Sequence, residues 1–269
     1  MNKKNQLLCF FFFLSVGLFA QNDSIPAINT DRPTNSTSPI LVPKGVFQIE
    51  TGFIYNSEVS DYYTKDELNV LGTMFRYGLF DNFELRLSGS FSDIDYTYKE
   101  LGTDSTLSGF GNVSFGFKVH IVEEKGLRPE LSLVADMYVR HVGPEGLRPT
   151  YSYPVSKIAA SNTLSEKFSL GYNLGLAYNG EDAEGFFIYS VILYYTIFPK
   201  AAFFIEPYGN FDSNGFPNHY IDGGFTYLIR QNMQLDISGG MSIGDNKNRA
   251  SESINEKFIS LGFSWKLPK

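Results

Sequence analysis

Long stretches of this chain alternate apolar and polar residues with a period of two. Over residues 83–91 every second residue is apolar or glycine, from Phe83 to Phe91, whereas residues between them, such as Glu84 and Arg86, are polar. Successive side chains of a β-strand point to opposite faces, so this pattern predicts a strand with one apolar and one polar face. The same alternation recurs over residues 113–121, 168–179 and 233–243. No helical period of useful length follows the first 20 residues, so the pattern predicts an all-β protein.

Extending the alternation along the chain predicts about twelve strands. Most are longer than twice the mean strand of globular proteins, which is about 5–6 residues. A tilted strand needs about 9–11 residues to cross a bilayer, so these strands are long enough to span one. The predicted strands are 46–57, 66–79, 82–95, 107–121, 128–141, 150–163, 167–180, 186–197, 200–211, 217–229, 232–244 and 256–267. The weakest are 150–163, which alternates poorly, and 186–197, which is apolar on both faces.

The segments between the strands differ in length in a regular way. Those after even-numbered strands are short, such as Phe80-Asp81 and Phe198-Pro199, and those after odd-numbered strands, such as 58–65 and 96–106, are mostly longer and polar. Aromatic residues also flank the short turns. Both features are typical of a transmembrane antiparallel up-and-down β-barrel, whose short turns face the periplasm. An even strand number then predicts both termini in the periplasm and the barrel in the bacterial outer membrane. The alternative is a soluble sandwich or lipocalin-like barrel with the apolar face inside.

The N-terminus has the pattern of a secretory signal peptide over residues 1–20. Lys3 and Lys4 precede an apolar run from Leu7 to Phe19, and Ala20 precedes a plausible cleavage point. Cleavage removes the chain's one cysteine and two of its 22 basic residues, leaving 20 basic against 29 acidic residues, a net charge of −9. The mature chain therefore has neither a disulfide nor a cysteine metal site, and its acidity argues against nucleic-acid binding.

Residues 21–45 precede the barrel, which we place at 46–269. They contain Pro26, Pro33, Pro39 and Pro43, so they are not a ladder-paired central strand. Our hypothesis is that they form a plug in the periplasmic mouth, with Asp31 and Arg32 paired to inward charges. The alternative is a disordered or surface-lying leader.

The start of the mature chain carries a motif. Thr30-Asp31-Arg32-Pro33 is followed by Val42-Pro43-Lys44-Gly45 and then by Gln48-Ile49-Glu50. In this order, the segments resemble the outer-membrane family described as MetA-pathway of phenol degradation or transporter proteins. The resemblance extends over nearly the whole mature chain. It implies an outer-membrane barrel that takes up small compounds, aromatic ones among them.

With the apolar face toward lipid, the polar face puts charged residues in the lumen. They either pair across strands or line a translocation path with binding groups, and the two roles are compatible. Twelve strands should leave a narrow lumen suited to small solutes. The lumen-facing candidates are Glu50, Arg76, Glu84, Arg86, Lys118, His120, Glu130, Asp136, Arg140, Glu206, Asp222 and Asp236.

No motif indicates an enzyme, a metal site or a cofactor. In outer-membrane phospholipase A, another 12-stranded barrel, the catalytic histidine has a serine two residues later. None of His120, His141 and His219 does. We therefore predict a transporter or channel for small solutes, aromatic or hydrophobic ones included, with membrane lipid and the barrel-assembly machinery as partners. The alternative is a structural or interaction protein with an occluded lumen.

Overall fold

A computed structural model describes residues 26–99, 103–211, 217–248 and 252–267. The predicted signal peptide and its cleavage point lie outside these residues. None of the described residues forms a helix long and apolar enough to cross a membrane. The strands are β1 (Phe47–Ser60), β2 (Tyr63–Phe80), β3 (Phe83–Tyr98), β4 (Thr103–Val122), β5 (Glu130–Tyr138), β6 (Tyr153–Thr163), β7 (Phe168–Tyr178), β8 (Gly185–Phe198), β9 (Ala201–Phe211), β10 (Pro217–Arg230), β11 (Met233–Ile243), β12 (Asn246–Lys247) and β13 (Ser253–Leu267).

The twelve long strands form a closed antiparallel barrel. Each strand from β1 to β10 pairs with the strand that follows it, and β11 pairs with β13. The barrel closes where β13 pairs with β1, from Phe47↔Leu267 to Ser60↔Ile254. The two-residue strand β12 pairs only with the start of β13. The predicted all-β barrel of twelve strands is confirmed, including the two strands with the weakest pattern, which are β6 and β8. Closure gives each of the twelve long strands a neighbour on both sides, as a bilayer requires.

The apolar face of the strands points outward. Leu174 is 67% exposed, Phe115 56% and Leu261 54%, and residues that alternate with them are buried or half-buried. A soluble barrel would bury these side chains, so the structure selects the transmembrane alternative. Aromatic residues flank the short turns, with Phe80 and Phe198 exposed on the outer surface.

The other end of the barrel differs from the prediction. β1 and β2 are joined by two residues, Asp61 and Tyr62, so the predicted loop over 58–65 is mostly strand. β3 and β4 likewise continue through much of 96–106. These polar segments lack an apolar face, but they pair through contacts such as that between the rings of Tyr63 on β2 and Tyr96 on β3, whose centroids are 6.2 Å apart. The long connection at this end is 139–152, after β5. We call this end the long-loop end and the opposite one the short-turn end.

Candidate functional site

The polar face of the barrel holds most of its charged residues in the interior. Asp136, Glu130 and His120 are partly exposed, with 13%, 16% and 23% of their side-chain area accessible. Glu130 and His120 lie 2.7 Å apart, between Oε1 and Nε2. The other predicted candidates on the strands are exposed by 5% or less: Glu50, Arg76, Glu84, Arg86, Lys118, Glu206, Asp222 and Asp236.

The prediction for Arg140 is wrong. β5 ends at Tyr138, and Arg140 is exposed in the turn that follows. Its backbone N–H donates to Ser152 Oγ at 3.1 Å, across the base of the 139–152 connection. Alternation predicts the direction of a side chain only while the chain stays in the ladder, and here it leaves the ladder before Arg140.

Residues 26–45, which we call the inner segment, run inside the barrel. At its start the Ile28 N–H donates to the carbonyl of Gln231, in the β10–β11 turn, at 2.7 Å. At its end the Gly45 N–H donates to the carbonyl of Gly78, near the end of β2, at 2.7 Å. Between these points Val42 is 2% exposed. The inner segment therefore enters and leaves the lumen at the short-turn end.

The carboxylate of Asp31, on the inner segment, lies among three cations of the barrel wall. Arg86 Nη1 is 2.6 Å from its Oδ2, Lys118 Nζ is 3.2 Å from its Oδ1, and Arg76 Nη1 is 3.7 Å away. Burial alone would raise the pKa of Asp31, but the charges of Arg76, Lys118 and Arg86 hold it well below its usual value. Asp31 is therefore ionised and serves as a fixed counter-charge.

Two strand carboxylates complete this cluster. Glu84 accepts two bonds of 2.8 Å from the Nε and Nη2 of Arg76, a bidentate pair. Glu50 Oε1 accepts from Arg76 Nη1 at 2.7 Å, and its Oε2 accepts the backbone N–H groups of Asp31 and Arg32 at 2.9 and 3.1 Å. With Asp136, which lies 3.3 Å from Arg86 Nε, four carboxylates face the three cations, and one of the four is supplied by the inner segment. Since removing one partner of a buried pair leaves an uncompensated charge, the cluster needs the segment in place.

Arg32 points to different strands from Asp31. Its Nη2 donates to Ser260 Oγ at 2.8 Å and lies 3.3 Å from Asp236 Oδ1. Two glycines of the wall make room for its guanidinium. A Cβ on Gly262 would lie 2.3 Å from Arg32 Nε, and one on Gly52 would lie 2.5 Å from Nη2. The wall thus engages both charges of the motif, Asp31 through basic residues and Arg32 through Asp236.

The other two residues of the motif act locally. Thr30 Oγ1 donates to the carbonyl of Arg32 at 2.7 Å and accepts from Gln234 Nε2 at 2.9 Å. The peptide bond between Arg32 and Pro33 is cis. Residues of the Thr30-Asp31-Arg32-Pro33 motif therefore contact β1–β4, β11 and β13.

The middle of the inner segment contacts the opposite wall through backbone hydrogen bonds. The N–H groups of Asn35 and Ser36 donate to the two oxygens of Glu206 at 2.8 and 2.6 Å. The N–H of Thr37 donates to Asn173 Oδ1 at 2.7 Å, and the Nδ2 of Asn173 donates back to the carbonyl of Thr37 at 3.0 Å. The inner segment therefore crosses the lumen from one wall to the other.

Sequence reasoning missed the uncharged partners of the inner segment. Ser132 Oγ donates to the carbonyl of Pro39 at 2.6 Å, and Ser190 Oγ lies 2.7 Å from Ser36 Oγ. Asn173 and Ser132 lie on the polar face of predicted strands, so the alternation already indicated an inward direction for them. Ser190 lies in the predicted strand 186–197, which is apolar on both faces, so the pattern gave it no direction. Selecting charged residues alone left them out.

Two cavities flank the inner segment. One of about 400 Å³ lies toward the short-turn end and is lined mainly by small polar and apolar residues, with Arg32 as its charged residue. The other, of about 260 Å³, lies toward the long-loop end, and its lining includes Asn35, Lys157, Tyr208 and Tyr220. We call it the long-loop cavity. Because Asn35 and Arg32 line different cavities, the inner segment stands between the two.

The fold and its occupied lumen define the class: a transmembrane β-barrel of the outer-membrane type whose lumen holds the inner segment. Within that class the chain belongs to the family described as "Putative MetA-pathway of phenol degradation", whose model matches residues 30–255. The family resemblance inferred from the motif is thereby confirmed.

Solved structures share the fold at low sequence identity. The COG4313 outer membrane channel from Pseudomonas putida F1 aligns with a TM-score of 0.66 at 10% identity, over 93% of this chain and all of that one. The translocator domain of the autotransporter NalP from Neisseria meningitidis aligns at 0.54 and 8% identity, over 82% and 88% of the two chains. The NanC porin aligns at 0.51 and 9% identity, over 81% and 100%. No curated protein matches the chain in sequence.

Metal binding has no candidate among the described residues. No group of three or more His, Cys, Asp or Glu side chains there is placed to hold a metal ion.

Proposed function

We propose that this protein is an outer-membrane channel for small solutes, and that the inner segment is its closing element. The observation that carries the proposal is that the segment crosses the lumen, held by Asp31 and Arg32, with a cavity on either side. The short-turn end and both termini would face the periplasm, as is usual for such barrels. Passage then requires the segment to move or leave.

The solutes we propose are small and aromatic or hydrophobic. The family description names phenol degradation. Tyrosines also line the interior beside the inner segment, among them Tyr194 and Tyr208. Aromatic rings offer flat apolar surface to a ring-shaped solute without giving up their polar hydroxyls. This function needs no catalytic step, and we assign none to the lumen residues.

A reversible cross-link tests whether the inner segment closes the channel. Ser36 Oγ and Ser190 Oγ lie 2.7 Å apart, so cysteines at these positions are placed to form a disulfide. The sequence has one cysteine, Cys9, inside the predicted signal peptide, so the pair would have no competitor in the mature chain. We expect the oxidised S36C/S190C protein to be closed in planar bilayers, and reduction to restore the conductance of the unmodified barrel.

A matched control places the same cross-link within the wall. Ser88 and Ser114 face each other on β3 and β4 with their Oγ atoms 2.6 Å apart. Oxidation of S88C/S114C should leave conductance unchanged, because it joins two strands and not the segment. Equal conductance of the oxidised and reduced S36C/S190C protein would refute the closing role.

The position of the inner segment across the lumen also favours one other function. A lumen filled by a hydrogen-bonded segment also suits a structural or interaction protein that never opens. Liposome swelling with sugars, amino acids and aromatic acids separates the two functions. Solute-dependent swelling supports the channel. Absence of flux for every solute in the unmodified protein, with flux once residues 21–40 are removed, supports the occluded barrel.

A further inference from the structure

We propose that the long-loop cavity is a binding site for a small aromatic monoanion such as an aromatic carboxylate, with Lys157 binding the anionic group and Tyr208 and Tyr220 stacking on the ring. The inference deepens the proposed function, because it names a solute class and the residues that select it.

Lys157 is distinguished from the other cations inside the barrel by its lack of a partner. Arg32, Arg76, Arg86 and Lys118 each form an ion pair. Among the described residues, Lys157 Nζ has neither an ion pair nor a hydrogen bond within the usual distances. Lys157 is half-buried, and a bound anion would give its ammonium group a partner that the described part of the barrel does not supply.

The acids that act on Lys157 through their charge are Asp31, Asp136 and Glu206, and all three are engaged by other groups. Glu206 accepts the backbone N–H groups of Asn35 and Ser36, and Asp136 lies 3.3 Å from Arg86 Nε. The wall leaves space for the lysine as well. Gly175 is directly opposite on β7, and a Cβ there would lie 2.7 Å from Lys157 Cβ. Lys157 therefore faces the cavity with its charge available.

The ring site is formed by two tyrosines on neighbouring strands. Tyr208 and Tyr220 are paired across β9 and β10, and their rings are parallel to within 13° with centroids 5.1 Å apart. Both line the same cavity as Lys157. Stacked aromatic arrangements of this kind add favourable energy beyond simple burial, so a solute ring can extend the stack. At about 260 Å³ the cavity is just below the usual size of small-molecule sites and suits a single-ring solute.

The charge of the adjoining cavity confines the anion to the Lys157 side. Tyr208 and Tyr220 also line a second space of about 250 Å³, which contains Glu58, Glu67 and Glu256. Two lysines line it as well: Lys65, which lies 3.3 Å from Glu67, and Lys257, which is exposed. The three acidic side chains outnumber these two cations and repel a second negative charge. The tyrosine pair thus separates a space that disfavours anions from one that offers a free ammonium.

Binding to the full-length purified barrel tests the site without requiring transport. Calorimetric titration compares benzoate, neutral phenol and benzylammonium. We expect benzoate to bind most tightly. K157M, which keeps an apolar stem, should lower the affinity for benzoate about tenfold or more and change the affinity for phenol little. Tyr208→Leu should lower the affinities for both benzoate and phenol about two- to tenfold. Tyr208→Phe, which keeps the ring, should lower both affinities less.

Lys167→Met is the matched control, because Lys167 is an exposed lysine in the β6–β7 turn. It should bind all three compounds as the unmodified protein does. The inference is overturned if K157M keeps the benzoate-to-phenol ratio of affinities, or if benzylammonium binds more tightly than benzoate. Such a result leaves the disulfide experiment on S36C/S190C unaffected, so failure of the site and failure of the channel function are distinguishable.

Discussion

The inner segment meets two walls of the barrel that hold it by different means. On β1–β4 the contacts are ionic and buried, with Asp31 inserted among Arg76, Arg86 and Lys118. On β7–β10 the contacts are mainly hydrogen bonds that backbone N–H groups of the segment donate to Glu206 and Asn173. The long-loop cavity opens beside this second wall. We refer to these as the ionic wall and the hydrogen-bonding wall.

The difference indicates which wall a solute would use. Removing one partner from a buried cluster of ion pairs is costly, so the ionic wall holds the segment firmly, and each of its three cations is already paired with a carboxylate. Hydrogen bonds to a backbone can be exchanged one at a time at about 1 kcal/mol each. We therefore infer that the segment pivots on the ionic wall and that solutes pass along the hydrogen-bonding wall.

The largest expected effect comes from Asp31→Asn. It removes the segment's charge from the ionic wall and leaves Lys118, whose side chain is fully buried, without an ion-pair partner among the described residues. Breaking one member of a buried cluster costs roughly 3–5 kcal/mol, so the equilibrium for release of the segment should shift more than a hundredfold. The open fraction in single-channel recordings measures that shift.

Asp61→Asn provides the control for this substitution. Asp61 is an exposed aspartate in the β1–β2 turn, and the same chemical change there should leave the open fraction as it is. If Asp31→Asn stays closed and equally heat-stable, the ionic wall does not hold the segment. If the variant does not fold, the barrel without residues 21–40 still reports whether the segment closes the lumen.

Much of the fold could be predicted because its signal is local. Alternation with a period of two identifies each strand from its own residues, and the twelve strands were found in this way. The exceptions lie where the local signal is poor. The segments 58–65 and 96–106 have no apolar face, so they were predicted as loops although they are largely strand.

The candidate site was only partly predictable, because its contacts join residues that are distant in sequence. Alternation gave the inward direction of Arg76 and Glu206, but not that Asp31 contacts one wall and Asn35 the other. That depends on strand register and on the path of the segment. Lys157 was missed because its strand, predicted as 150–163, alternates poorly and no inward face was assigned to it.

A smaller effect is expected from Glu206→Gln on the hydrogen-bonding wall. Glu206 accepts two backbone N–H groups, and glutamine keeps one acceptor oxygen but turns an amide toward the second donor. The loss should be about 1–2 kcal/mol, or roughly a five- to thirtyfold rise in the release equilibrium. A double variant with Asp31→Asn then tests the comparison directly. Additive effects on the open fraction mean that the two walls act independently, whereas strong coupling contradicts a segment that pivots on one of them.

The smallest effect is expected from Gly262→Ala, which changes the space around Arg32 and no charge. The added Cβ would lie 2.3 Å from Arg32 Nε and 2.5 Å from Asp236 Oδ1, so the guanidinium must shift and its ion pair lengthen. We expect a cost of about 1 kcal/mol at the segment, since Arg32 is a flexible side chain that can move. Gly72→Ala is the matched control, because the nearest atom to its Cβ would be 4.0 Å away. A rise in open fraction for Gly262→Ala but not for Gly72→Ala places Arg32 among the groups that hold the segment. If the two variants have the same open fraction, Arg32 does not help to hold the segment. Asp31, which contacts β2–β4, would then be the charged residue of the motif that holds it.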